Sequence, residues 1–176
     1  GHAFVILAAA WAARVDIDGA RGMLDRCWHF METHFYEPAH GAYADERDQS
    51  LARLDGYRGQ NANMHTVEAL IAAYESTGET MFLERADSVA RKFTVDLAAA
   101  ADGQVWEHYS TDWTHDWEYN IDKPDDLFKP WGFQPGHQVE WAKLLLQIDT
   151  HKPADWHLTV AVSLFDTAMR KGWDRD

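Results

Sequence analysis

Two histidines make the sequence's case for proton transfer. Asn61, His65 and Glu68, spaced 4 and 3 apart, share one helical face, while Met64, Val67, Leu70, Ile71 and Tyr74 form the apolar stripe. A water-facing stripe would usually carry Lys, Arg and Glu; an amide, an imidazole and a single carboxylate suit a lined cavity instead. A hydrogen-bonded helix histidine with no chemical role has the same spacing. The second histidine, His137, follows Pro135-Gly136 at a helix start, and Glu140 lies one turn on, close enough to orient or polarise its ring. An imidazole near its ordinary pKa of about 6.5 takes and returns a proton at neutral pH. The bland counterpart is an N-terminal histidine beside a surface glutamate. Between the two lies a loop in which Trp106, His108, Tyr109, Trp113, Trp117 and Tyr119 alternate with Glu107, Asp112, Asp116 and Glu118. Aromatic faces flanked by carboxylates suit sugar rings, whose C–H faces stack while their hydroxyls need acceptors. A loop pinned by its own tryptophans is the equal alternative.

Other chemistry is weakly signalled. His108 and His115 have no accompanying cysteine or suitably spaced acid, and ten histidines in 176 residues produce chance pairs, so no metal is expected. No glycine-rich phosphate loop and no nucleophile elbow is present, and Cys27 sits on an apolar helix stripe, which makes it core.

Helices must position these groups. Phe4 to Ala13 is alanine-rich and apolar nearly all round, the pattern of a buried helix with no cap. Asp16 or Asp18 is positioned to cap a second helix with Met23, Cys27, Phe30, Met31 and Phe35 on one face, ending near Pro38. A third runs from Gln60 to Thr77 and is closed by Gly78; Thr80 caps a fourth, with Phe82, Ala86, Val89, Ala90 and Phe93 inside. Residues 102–136 read as loop with room for short strands, a fifth helix spans His137 to Thr150, and Pro153 opens a sixth that Gly172 ends. Gly41 and Gly103 lie 62 residues apart and Gly172 another 69 on, each near an aromatic, which suggests a repeated helical hairpin plus loop. Such hairpins bury their faces by stacking on neighbours, as in solenoids or α/α toroids. No linker divides the chain, so residues 1–176 are read as one domain.

Composition excludes several classes. With 16 Lys+Arg against 29 Asp+Glu, the net charge of −13 repels phosphate backbones, and no local basic cluster offsets it. No nucleic-acid partner is expected. The longest apolar stretch, Ala3 to Ala13, falls short of the roughly 18 residues of a membrane span and lacks a basic flank or cleavage site, so neither membrane segment nor signal peptide is expected. A lone cysteine cannot pair within the chain, which fits a reducing compartment, and the expected location is cytoplasmic. The sequence carries no signal for an oligomeric state.

Two long motifs in order give these residues a family likeness. Tyr57-Arg58-Gly59-Gln60-Asn61-Ala62-Asn63-Met64-His65 with Glu68-Ala69, and Trp131-Gly132-Phe133-Gln134-Pro135-Gly136-His137-Gln138-Val139-Glu140-Trp141, resemble the N-acylglucosamine 2-epimerase superfamily. The Pro-Gly-His-x-x-Glu-Trp form is more similar to mannose and sulfoquinovose aldose–ketose isomerases than to N-acylglucosamine or cellobiose 2-epimerases. The likeness runs from Gly1-His2-Ala3-Phe4 to Gly172-Trp173-Asp174.

The resemblance implies an all-α (α/α)6 barrel, here a partial one of about six helices in three hairpins, with a sugar pocket at one end of its lumen. It implies cofactor-independent, metal-free proton transfer at C2 of an open-chain monosaccharide through a cis-enediolate. His137 would be the acid/base, Glu140 its pocket neighbour, and Asn61 and His65 substrate contacts, with His65 also a candidate for assisting ring opening. Lys129 and Trp131 would approach the sugar, and Arg58, like Asn61 and His65, is a candidate donor to its oxygens. Family members are about twice as long, with a pocket tyrosine just ahead of the opening motif and a further catalytic histidine in the C-terminal third. The chain is therefore expected to be a central piece of such a barrel. A 2-epimerase, a catalytically silent sugar-binding piece, and an inverting glycosidase using Glu140 and Asp112 are the competing readings.

Overall fold

The periodic apolar stripes become six α-helices in a computed structural model that describes residues 1–173; Asp174, the last residue of the closing motif, lies outside them. Helix α1 (His2–Arg14) buries Ala3, Ile6, Ala9 and Ala10, a single stripe rather than its whole circumference. Phe4, Val5 and Trp11 remain exposed, which corrects the expectation of an all-round buried helix. Helix α2 (Ala20–His34) buries Ala20, Leu24, Cys27 and Met31, and its N-cap is Gly19 in the left-handed region rather than Asp16 or Asp18. The preceding turn is closed by backbone bonds from Ile17 to Ala12 and from Ala20 to Ile17, which leaves no place for an aspartate cap. Met23 of the expected stripe is exposed.

Helix α3 (Gln60–Thr77) has the expected bounds and is the most buried, with Met64, Val67, Leu70 and Ile71 in the core. Helix α4 (Thr80–Arg91) starts from Glu79, not Thr80, as its N-cap, and continues through a π turn (Lys92–Leu97) and a 3-10 turn (Ala98–Ala101). Helix α5 (Pro135–His151) begins on Pro135, whose missing N–H would have no partner in a first turn, and α6 (Asp155–Gly172) follows it. Helix α1 packs against α2 and α3, α3 against α4, and α5 against α6, with α3 and α4 both touching α5. The result is three hairpins in an arc around one core. Apolar side chains stay exposed at both ends: Val5, Ile17 and Met23 on the first hairpin, and Leu146, Leu158, Val162 and Phe165 on the last. Among the described residues no helix is long and apolar enough to cross a membrane.

Four two-residue strands join the loops at one end of the arc. Strands β1 (Tyr36–Glu37) and β2 (Ala42–Tyr43) form an antiparallel hairpin after α2. Strands β3 (Arg58–Gly59) and β4 (His108–Tyr109) pair antiparallel, Gly59 opposite His108, so the long aromatic loop is held against the start of α3. The loop's rings pack on one another: Trp106 meets Trp117 at 4.7 Å and Trp131 at 5.8 Å, and His115 stacks on Trp117 at 4.5 Å. Self-packing accounts for most of its aromatics.

Candidate active site

The N-terminus of α3 and the N-terminus of α5 meet across the β3–β4 pair. Gln60, the first residue of α3, donates its backbone N–H to the Glu107 carbonyl at 3.1 Å, and the Glu107 N–H bonds to Gly132 O at 3.0 Å. One turn into α5, the buried Gln138 amide brackets Val105, accepting from its N–H and donating to its carbonyl, each at 2.9 Å. At the far end of the hairpin, α6 closes so tightly on α5 that a Cβ on Gly172 would stand 2.5 Å from Pro135 Cβ. These contacts fix where His137 stands.

Its Nδ1 lies 2.8 Å from Glu107 Oε1 and 2.8 Å from Gln60 Nε2. Gln60 Nε2 also donates to Glu107 Oε2 at 2.9 Å, and Gln60 Oε1 accepts from Trp141 Nε1 at 2.7 Å. Gln60 and Trp141 are fully buried and Glu107 is 3% exposed, while the His137 side chain is 27% exposed. Burial on its own lowers the His137 pKa; the hydrogen bond and charge of Glu107, and then the charge of Glu140, outweigh it and hold the imidazole above its ordinary value. The carboxylate in contact with His137 is thus Glu107, from the loop, and not Glu140, expected from helical spacing. Glu140 is exposed and acts on the ring only through its charge; it shares a narrow crevice with Met64, His65 and Glu68.

On the other side of His65 opens a hollow of about 190 Å³, lined among others by His2, Asp45, Tyr57, Asn61, His65 and Lys129. That is room for roughly six waters, or one small polar molecule. Of the α3 face named from its spacing, Asn61 and His65 line the hollow and Glu68 does not: Asn61 is exposed into it, and His65 is half-buried with Nδ1 3.3 Å from Glu68 Oε2. The Phe4 ring covers His65 at 4.8 Å. Lys129 reaches in from the aromatic loop, its Nζ 3.9 Å above the Tyr57 ring and 3.5 Å from Glu46. Tyr57 is pinned in turn: its hydroxyl bonds to His108 Nδ1 at 3.0 Å, and His108 Nε2 donates to Pro130 O at 2.6 Å. Gly59 makes room for this ring, since a Cβ there would stand 2.6 Å from the Tyr57 hydroxyl.

Two other candidates are placed elsewhere. Arg58 is 3% exposed, and its guanidinium is taken up by both Glu37 oxygens at 2.8 and 2.9 Å and by the Asp55 and Tyr57 carbonyls. It ties β3 to β1 with four of its five N–H donors engaged, and its burial keeps it out of the hollow's lining. Trp131 lies on the loop surface with its indole N–H on the Trp117 carbonyl at 2.7 Å. Asp112, the second carboxylate of the glycosidase reading, is held at about 2 by bonds from Ser110 and then Thr114, so it is no store of a proton.

Three contributors were not singled out from sequence. Gln60 and Glu107 stood in the quoted segments, but nothing local marked their contact. Asp45 carried no periodic signal at all. It accepts from Gly59 N–H at 2.7 Å, and burial pushes its carboxyl up to about 7, against the opposing pull of that N–H and of Lys129 and Arg58.

Comparison with known proteins agrees along the whole chain. The curated D-mannose isomerase of Marinomonas mediterranea is 46% identical over 175 residues, which are 99% of this chain and 44% of that protein. A solved D-mannose isomerase superposes with a TM-score of 0.97 at 45% identity, covering 99% of this chain and 45% of that one. A cellobiose 2-epimerase from Bacillus thermoamylovorans shares the fold, with a TM-score of 0.83 at 14% identity over 99% of this chain and 45% of its own. The chain thus spans a little under half the length of the proteins it matches, and its three hairpins form a partial (α/α)6 barrel. The family model for N-acylglucosamine 2-epimerase (GlcNAc 2-epimerase) matches residues 1–176, and the chain belongs to that family.

Proposed function

We propose that this chain supplies the acid/base half of a mannose-type aldose–ketose isomerase acting on a free monosaccharide. His137 removes the C2 proton of the open-chain aldose, and the electron pair moves to the C1 carbonyl oxygen to give a cis-enediolate. Passage of the O2 hydroxyl proton to O1 and return of the carbon-bound proton to C1 yield the 2-ketose. Asn61 and His65 stabilise the sugar oxygens while charge develops on them, and Lys129 adds a positive charge at the rim of the same hollow. His65 is also the group for opening the sugar ring. Glu140 adds negative charge near the base. The reading takes no cofactor and no metal, treats residues 1–176 as one domain, and sets the reaction in the cytoplasm, in keeping with one unpaired Cys27.

The observation that carries it is the imidazole of His137, held at one nitrogen by a buried carboxylate and standing beside Gln60 at the start of α3, the helix whose Asn61 and His65 line the hollow of about 190 Å³ that His137 itself does not line. Relatives named D-mannose isomerase support the choice of substrate. Incubating the protein, at its full natural length, with mannose in D2O tests the reading: fructose forms, with deuterium at C1. Glucose without fructose would replace it with a 2-epimerase, and no new sugar with no label would overturn it.

A further inference from the structure

We infer that Glu107 is a positioning residue that keeps a proton on His137 Nδ1, so that Nε2 is the nitrogen that exchanges protons with substrate, while Gln60, locked by Trp141, offers only the weaker bond that the opposite tautomer would use. The inference rests on the isomerase reading for its consequence, but not for its geometry.

The hydrogen-bond inventory forces the point. An indole N–H only donates, so the Gln60 atom 2.7 Å from Trp141 Nε1 is the amide oxygen, and Gln60 Nε2 carries both remaining hydrogens. One goes to Glu107 Oε2; the other points at His137 Nδ1. Glu107 Oε1, a pure acceptor, is at the same 2.8 Å from that nitrogen. Nδ1 therefore faces one donor and one acceptor, and its own proton decides which bond is made. With Nδ1 protonated, Glu107 accepts. With Nδ1 bare, Gln60 donates, but a carboxylate oxygen then stands against the nitrogen lone pair. A charge-assisted bond is roughly twice as strong as a neutral one, and Glu107 is 3% exposed, so solvent screens it little. The Nδ1–H form wins.

Nε2 has no protein partner among the described residues. It is bare in the neutral Nδ1–H form and protonated in the imidazolium, which are the two states a single base needs to take a proton at C2 and return it at C1. In the alternative tautomer Nε2 already holds a hydrogen and is no base. The raised His137 pKa agrees with this arrangement, Glu107 from the loop and Glu140 from α5 being the charged groups that raise it.

Imidazole nitrogen-15 NMR on the wild type and on Glu107→Gln reads the proton's position directly. The wild-type neutral ring is expected as the Nδ1–H tautomer. In Glu107→Gln the ring shifts toward Nε2–H, its pKa falls, kcat drops about 10–100-fold with KM within about twofold, and the acid limb of the rate profile moves to lower pH. Glu107→Asp, which keeps the charge, restores part of the Nδ1–H population. A wild-type ring found in the Nε2–H form, or an Nδ1–H ring unmoved by Glu107→Gln, would overturn the inference, and the first needs no variant to fold. The Nδ1–H ring with no sugar turnover would leave Glu107's role standing and remove the isomerase reading instead.

Discussion

Helix α5 carries a histidine–carboxylate arrangement at each end, and the two are built for opposite ends. At its start, His137 is held at one nitrogen by Glu107, and its side chain is 27% exposed. At its finish, Asp149 meets His157 of α6, a ring with no exposure whose Nδ1 lies 3.0 Å from Asp149 and whose Nε2 lies 2.8 Å from Asp87 of α4. Lys152 closes the second group at 2.6 Å from Asp87. Both His157 nitrogens are occupied by aspartate carboxyl groups, so neither is left to meet a ligand, and the ring bolts three helices together. Residue types alone do not separate a base from a bolt; what separates them is whether one nitrogen is left without a protein partner.

The largest effect is expected where that difference is removed from the open end. His137→Asn deletes the proposed base and is expected to lower kcat/KM by about 10²–10⁴-fold, roughly 3–5.5 kcal/mol, while the urea midpoint stays close to wild type. Steady-state kinetics beside a urea melt checks it; a variant with near-normal turnover would make the His137 end a second bolt. At the closed end the signs exchange. His157→Leu leaves Asp87 and Asp149 facing an apolar side chain. Removing one partner of a buried pair costs about 3–5 kcal/mol, and because both aspartates are partly exposed and Lys152 remains, about 2–3 kcal/mol is expected here. Turnover per folded molecule should hold. A urea midpoint unchanged in this variant would strip His157 of its structural role.

What was legible in the sequence divides along the same line. Local periodicity located α3 to the residue, because its apolar stripe, closing Gly78 and polar Asn61–His65–Glu68 face are all properties of one helix. His137 and Glu140 were named for the same reason. Glu107 could not be paired with His137 that way: it is 30 residues upstream in a loop without period, and only the β3–β4 pairing brings it in. Arg58 shows the converse, a charge in a striking motif that folding commits to Glu37, 21 residues away. The Asp16 and Asp18 caps failed because backbone bonds had already closed the turn at Gly19.

A gentler perturbation separates binding from proton transfer within the open end. Asn61 lines the hollow but touches neither His137 nor Glu107. Losing one neutral hydrogen bond to substrate costs about 0.5–1.5 kcal/mol, so Asn61→Ala should lower kcat/KM by roughly 3–10-fold with the His137 tautomer unchanged. A loss as large as that of His137→Asn would mean that Asn61 acts in the chemistry itself.

The smallest expected change, Asp45→Asn, asks whether the open end gives up stability for its ionisable groups while the closed end gives up none. The Asp45 carboxyl titrates at about 7 in the folded chain, against 3.8 for the free side chain, because burial penalises its charge. Between those values the folded state holds a proton that the unfolded state has released. The contribution is therefore fully present below about pH 4, falls as pH rises, and is lost above about pH 7. Asparagine keeps an oxygen for the Gly59 N–H and removes the titration. The variant should match wild type in thermal midpoint near pH 4, and exceed it by a few degrees near pH 8, where the wild-type site must bury a charge. The same gain at both pH values would mean that Asp45 titrates normally and that the hollow is wetter than its lining implies. The corresponding substitution at the closed end, Asp149→Asn, should do the reverse, since Asp149 is held below its usual range by the Ala154 N–H and His157 and stabilises the fold in its charged form.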